Sequence, residues 1–171
     1  GGNTMKHTLL IITALMLVVG ISNAQTYKGM RFNDDGSKSF ETYKESKGKL
    51  ELVKKVSWYS NGNKESEGTF KDGKKDGLWN EWHENGQKKG RGTFKDGKPD
   101  GLWTYWFDNG QKEGEGTLKD GELDGLSTTW YENGQKEEEV NYKNGKLISS
   151  KCWDEDGNEC ECSEKWWEGC K

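Results

Sequence analysis

From Lys54 to Ser149, short segments mixing apolar and polar residues recur between glycine-bearing turns. Gly77-Leu78-Trp79-Asn80-Glu81-Trp82 runs into Asn85-Gly86, then Gly90-Arg91-Gly92-Thr93-Phe94 runs into Asp96-Gly97. The next unit repeats the scheme: Gly101-Leu102-Trp103-Thr104-Tyr105-Trp106, Asn109-Gly110, Gly114-Glu115-Gly116-Thr117-Leu118, Asp120-Gly121. Segments this short between turns suit strands and leave no room for capped helices. Side chains alternate faces along a strand. Leu78 then shares a face with Trp82, Leu102 with Trp106, and Leu126 with Trp130. Gly90, Gly92 and Phe94 share a face, matched by Gly114, Gly116 and Leu118, while Lys89, Arg91, Thr93 and Lys95 point the other way. The expectation is one face of leucine, aromatic rings and glycine, and one largely charged. Glycine inside a strand costs stability, so these glycines are expected to let a tryptophan ring lie flat over the backbone.

The turns recur on a fixed beat. Asn61-Gly62, Asn85-Gly86, Asn109-Gly110 and Asn133-Gly134 are each 24 residues apart, as are Asp72-Gly73, Asp96-Gly97, Asp120-Gly121 and Asn144-Gly145. Both series are read as type I′ hairpin turns, which need positive φ at both central residues. A period in this range marks a repeat array in which each unit packs only on its neighbours. The ends decay, as capping units should. Asn33-Asp34-Asp35-Gly36 and Lys47-Gly48 read as degenerate turns, and Trp153 with Asp156-Gly157 echoes Trp130 with Asn133-Gly134.

Residues 1–24 read as something else. Gly1–Thr4 precede Met5 and are taken as an artefactual leader. Lys6, an apolar run from Leu9 to Val19 broken only by Thr13, and Ser22-Asn23-Ala24 have the three-part form of a secretory signal peptide, with cleavage expected after Ala24. The run is shorter than the ~20 residues a spanning helix needs. The expected organisation is therefore a signal peptide at 1–24, a degenerate N-terminal cap at 25–53, hairpin repeats at 54–150 and a cysteine-rich cap at 151–171. Without residues 1–24, 26 − 1 = 25 basic residues face 30 acidic ones. That balance excludes nucleic acid, whose binding needs concentrated positive charge.

Cys152, Cys160, Cys162 and Cys170 are the only cysteines. Export favours two disulfides. Cys160 and Cys162 stand too close to pair with each other, which leaves Cys152–Cys160 with Cys162–Cys170, or Cys152–Cys162 with Cys160–Cys170. Zinc is the weaker alternative, because the C-x₇-C-x-C-x₇-C spacing departs from the usual close pairs.

The unit Glu84-Asn85-Gly86-Gln87-Lys88, a spacer, then Gly92-Thr93-Phe94-Lys95-Asp96-Gly97-Lys98-Pro99-Asp100-Gly101-Leu102-Trp103 resembles the MORN-repeat family in its bacterial variant, over roughly Ser57–Ser150. The resemblance implies an all-β fold: an elongated antiparallel meander of 24-residue hairpin repeats, often curved like a gutter, here with a disulfide-stapled C-terminal cap. It also implies a scaffolding or antitoxin-like role and supplies no catalytic motif to transfer.

Candidate chemistry is sparse. His83 is the one histidine after Ala24, and its repeat counterparts are Tyr59, Phe107 and Tyr131. A position filled by four flat rings is not reserved for a proton carrier, so no enzyme activity and no catalytic residue are expected. Asp76, Asp100 and Asp124, each before glycine, are assigned to turns. Asp154–Glu159 resembles the start of a calcium loop, but its glycine comes fourth rather than sixth, so a turn is preferred. No cofactor or metal is expected.

The candidate binding surface is aromatic: Tyr59, Trp79, His83, Trp103, Tyr105, Phe107 and Tyr131, opposite the Leu–Trp face. Either these rings form an exposed interaction patch, or they cover one another as cross-strand pairs. The function expected is a secreted or periplasmic, non-catalytic scaffold that binds a protein partner through a rigid aromatic and charged face. Acidic residues such as Glu67, Glu113, Glu115 and Glu137–Glu139 would favour a basic partner. A glycan-binding module, with Trp103 and Tyr105 as test positions, and an antitoxin acting in the envelope are the alternatives. Stable membrane insertion is not expected.

Overall fold

The computed structural model describes residues 10–11, 25–162 and 170. Every regular element among them is a strand: β1 (Leu10–Ile11), β2 (Thr26–Phe32), β3 (Lys38–Ser46), β4 (Lys49–Trp58), β5 (Lys64–Lys71), β6 (Lys74–Trp82), β7 (Lys88–Lys95), β8 (Lys98–Pro99), β9 (Gly101–Trp106), β10 (Lys112–Lys119), β11 (Glu122–Trp130), β12 (Lys136–Lys143), β13 (Lys146–Trp153) and β14 (Glu159–Cys160). Strands adjacent in sequence pair antiparallel into a single open sheet. β8 and β9 are one strand interrupted at Asp100, and both pair with β7. Pro99 at that break has no N–H to give to a ladder. The signal-peptide reading falls outside the described residues except at Leu10 and Ile11, which pair with Met30 and Gly29 on β2.

The two turn series differ, which corrects the common type I′ expectation. Lys47, Asp72, Asp96, Asp120 and Asn144 have positive φ together with the glycine that follows each, so these are two-residue hairpins. Before Gly62, Gly86, Gly110 and Gly134 only the glycine itself is left-handed. Gly86 donates to the His83 carbonyl and His83 to that of Gln87, the pattern of a three-residue loop with a left-handed glycine. The asparagine is thus not there for positive φ. Its Oδ1 accepts the amide two residues on, Asn85 from Gln87 at 2.9 Å. Its Nδ2 donates to the next hairpin, Asn61 to the Glu84 carbonyl at 2.8 Å and Asn85 to that of Asp108 at 2.7 Å. Asn109 and Asn133 reach Glu132 and Glu155 in the same way.

The opposite edge is tied similarly. Asp76 accepts from the amide of Asp96 in the following two-residue turn, Asp100 from Asp120, and Asp124 from Asn144, at 3.2–3.5 Å. These aspartates precede strand glycines at φ 93°, 91° and 118° (Gly77, Gly101, Gly125), beside irregularities in the ladder. The turn role assigned to them is exercised across units: each caps the turn of the next one.

The face assignment also needs correction. Trp79 lies opposite both Gly68 and Gly92, whereas Leu78 lies opposite Thr93. The glycines and Phe94 therefore share their face with Trp79 and Trp103, and the leucines share the charged one. The expected ring-on-glycine packing is present. A methyl group on Gly68 would overlap the Trp79 indole, and one on Gly92 would overlap that of Trp103. Each indole N–H also reaches a main-chain carbonyl, Trp79 to Thr69 at 3.2 Å and Trp103 to Thr93 at 3.1 Å. Edge-to-face contacts link Phe70, Trp79, Phe94 and Trp103 at 5.0–5.7 Å between centroids, and Tyr105 stacks on Trp103. This row is the core of the sheet: among the described residues no second layer covers it, and rings cover rings.

Towards the N-terminus the same face turns polar. Ser39, Glu41 and Ser57 are buried there. Glu41 accepts from the Tyr43 hydroxyl at 2.5 Å and lies 3.6 Å from Arg31 and Lys55. Towards the C-terminus Val140 and Cys152 are buried. The cap carries Cys152–Cys162 and Cys160–Cys170, with Cα separations of 5.3 and 5.7 Å. That selects one of the two pairings left open by sequence. Paired cysteines belong to an oxidising, extracytoplasmic compartment. Asp154–Glu159 forms a hairpin turn in which Asp154 accepts from the Asp156 and Asn158 amides. Those hydrogen bonds hold its carboxyl below the usual range.

Candidate interaction surface

The seven rings expected to form one patch separate into three groups. Trp79 and Trp103 are 6% and 5% exposed and belong to the core. This corrects their place in the binding surface: Trp79 is packed on Gly68, Trp103 on Gly92, and Phe94 stands edge-on to both. Tyr105, stacked on Trp103, is 41% exposed. Tyr59, His83, Phe107 and Tyr131 are half-buried at the ends of the Asn-Gly hairpins. There the Tyr59 hydroxyl donates to the Trp82 carbonyl at 2.7 Å and the Tyr131 hydroxyl to the Trp153 carbonyl at 2.9 Å. His83 Nε2 lies 2.7 Å from the Trp106 carbonyl. A carbonyl only accepts, so this nitrogen must carry a proton. The ring position is a rung between units, and Phe107 is the one member without a donor.

What the sheet does expose is the leucine row. Leu78, Leu102 and Leu126 are 45–57% exposed, and Thr69, Thr93 and Thr117 are exposed on the strands between them. Alongside runs a second ladder. Lys64 lies 4.9 Å from the Trp82 ring, Lys112 5.2 Å from Trp130 and Lys136 5.0 Å from Trp153. Each of these lysines is also paired three residues on with Glu67, Glu115 or Glu139, at 2.7–2.8 Å. Lys88 approaches Trp106 at 6.0 Å, and the residue three positions on is Arg91. Such lysines cover ring surface with their stems while their charge stays in water. Sequence reasoning missed this face because leucine was placed with the glycines and the binding surface was sought opposite it. The signal against that reading was Thr, Arg and Lys on the same side of the partner strand.

Two clefts open among the hairpin ends. The smaller, about 230 Å³, is lined by Tyr59, Glu65, Lys75, Trp79, Glu81 and Lys89 among others. The larger, about 600 Å³, is lined by Phe107, Glu113, Thr129, Trp130, Tyr131, Glu132, Asn133, Glu137 and Glu155. Burial first, then Glu137, Glu155 and Asp154, push the Tyr131 hydroxyl above its usual range. Burial, then Glu137, likewise raises the neighbouring Glu138 carboxyl. Glu138 also stands beside Cys152 and Cys162 in a grouping that suits a metal, but both sulfurs are joined in the disulfide.

Comparison with known proteins agrees with the repeat frame. The family model described as MORN repeat variant matches four consecutive stretches, residues 54–72, 75–96, 99–120 and 123–144. No curated protein matches the chain.

Proposed function

The chain belongs to the MORN repeat variant family, and on that premise we propose that it is an exported, non-catalytic scaffold that docks a protein partner on the leucine-bearing face of its sheet. The observation that carries this reading is the row Leu78, Leu102 and Leu126, exposed at repeat spacing on a rigid sheet and bordered by paired Lys–Glu charges. Apolar side chains held in a line, with both signs of charge neutralised beside them, suit a protein surface. They do not suit the phosphates of a nucleic acid or an anionic membrane, which call for net positive charge. Export is supported by the two disulfides and by the signal-like segment before Gln25. The non-catalytic reading is supported by the structural use of His83 as an inter-unit rung. Glycan binding has less to support it, since Trp103 is packed on Gly92 and Tyr105 is the exposed one of its two test positions.

The test is a triple Leu78→Glu, Leu102→Glu, Leu126→Glu variant, checked for native secondary structure by circular dichroism. A partner cross-linked to the wild-type chain in its native envelope should bind the purified wild type and lose at least about tenfold in affinity for the variant. Equal binding to both would remove the leucine face from the function.

A further inference from the structure

The units share one frame, so equivalent sites 48 residues apart serve as controls for each other. The larger cleft is the smaller one displaced by two units: Phe107 stands where Tyr59 does, Glu113 where Glu65 does, and Trp130 where Trp82 does. Four exchanges change the chemistry. Lys89 is replaced by Glu137, Glu81 by Thr129, and Trp79 with Lys75 by Ser127 and Leu123. Loss of the indole and the shortening of Glu81 to threonine enlarge the cavity. Loss of both lysines leaves its carboxylates without internal cations. In the smaller cleft the chain supplies the cation itself, with Lys75 Nζ 3.9 Å from the Trp79 ring centroid and 4.8 Å from that of Phe94. Two carboxylates and two ammonium groups line that cleft, against four carboxylates and no basic residue in the larger one.

None of Glu113, Glu132, Glu137 and Glu155 forms an ion pair among the described residues. Lys112, which lies against the Trp130 ring, is held by Glu115 at 2.8 Å and does not line the cavity. The ring ladder also skips at this point, because Phe107 has no hydroxyl to tie the next hairpin.

We infer that the cleft between Phe107 and Tyr131 binds the ammonium or guanidinium group of a lysine or arginine side chain presented by a protein partner. Ring walls attract a cation through their electron-rich faces, and carboxylates around the rim select its charge. The volume falls in the range that encloses a side chain or small ligand. The inference takes from the proposed function only that the partner is a protein. The site stands at the hairpin ends, apart from the leucine row, so either can fail alone.

The probe is a short peptide carrying lysine and arginine, titrated against the full disulfide-bonded chain and followed by tryptophan fluorescence and calorimetry. Controls are the same peptide with norleucine and citrulline in their place, free spermidine, and calcium ion. The basic peptide should bind and the neutral one should not. Glu113→Gln with Glu137→Gln should weaken binding about tenfold or more, while Glu65→Gln in the smaller cleft leaves it unchanged. A Ser127→Trp, Thr129→Tyr variant installs the pair found at 103 and 105 and removes no charge. It should also abolish binding while the triple leucine variant does not. No binding by the wild type would overturn the inference. So would equal loss from Glu65→Gln, indifference to the Ser127→Trp, Thr129→Tyr variant, or spermidine or calcium competing as well as the peptide.

Discussion

The unit around Trp103 and the unit that follows it share a backbone and differ in what fills it. In the first, Trp103 lies over Gly92, bonds the Thr93 carbonyl and is flanked by Phe94 and Tyr105. In the second, Gly116 is still present, but Ser127 and Thr129 stand where an indole and a phenol would be. The strands nevertheless pair and the hairpins still close. Backbone turns and edge hydrogen bonds therefore suffice to hold a unit in the array, and the ring core is an added layer of stability that one unit can omit. A unit relieved of that duty has room for a ligand.

The largest effect that tests this contrast is truncation of the two equivalent residues. Trp103→Ala should cost about 3–5 kcal/mol, while Ser127→Ala should change stability by less than about 0.5 kcal/mol. Denaturant titration of both variants measures the difference, and comparable losses would mean that the second unit has a core as well. Next come the glycines. Gly92→Ala drives a methyl into the Trp103 ring and should cost about 2–3 kcal/mol. At Gly114 the nearest atoms to an added methyl lie at 3.8 Å, so Gly114→Ala should be neutral or slightly stabilising. A similar melting temperature for both would show that the ring moves aside freely.

The edge bonds should behave alike in the two units. Asn85→Ala and Asn133→Ala each remove one bond to the next hairpin and one within their own turn, and should each cost about 1–2 kcal/mol. A much larger loss for one would tie the edge to the core. The smallest effect is pH dependence. Glu67, with Lys54 and then Lys64 donating to it, sits below the usual carboxylate range. Its contribution is present above its unfolded value of about 4.3 and is lost as pH falls through its lower folded value. Glu138 is raised by burial and then by Glu137. Its contribution is present below about 4.3 and is lost as pH rises through its higher folded value. Glu67→Gln should therefore lower the melting temperature at neutral pH, and Glu138→Gln should raise it, each by roughly 1–3 °C because both carboxylates are partly hydrated. Thermal melts at pH 7 and pH 3 would show whether the two differences have opposite signs and shrink on acidification.

Turn spacing made the fold legible, because glycine in a left-handed turn is a local requirement that the sequence states directly. Gly62, Gly86, Gly110 and Gly134 marked hairpins, as did Gly73, Gly97, Gly121 and Gly145. The period also disclosed His83 as one ring among equals. Which face was covered was not legible. Alternation states that Leu78 and Trp79 point apart, but the choice of the buried one depends on what lies across the ladder, and that rests on register. The bulge beside Gly77 shifts the β5–β6 register by two residues, and the one beside Trp82 shifts the β6–β7 register by one. The larger cleft was hidden for a related reason. Its walls come from hairpins 24 residues apart, and its distinction is a set of absences at 127 and 129 that no motif records.

The asparagine rungs have one further consequence. Each donates to a carbonyl 22 or 23 residues ahead, and each ring hydroxyl or imidazole reaches the same distance. A duplicated 24-residue segment spliced in at a turn would find both halves of every such bond waiting at its borders, and a deleted one would leave none unmatched. The length of the molecule can therefore change by whole units without redesign, as a chain takes or loses a link, while a specialised link such as the one between Phe107 and Tyr131 keeps its neighbours and its chemistry.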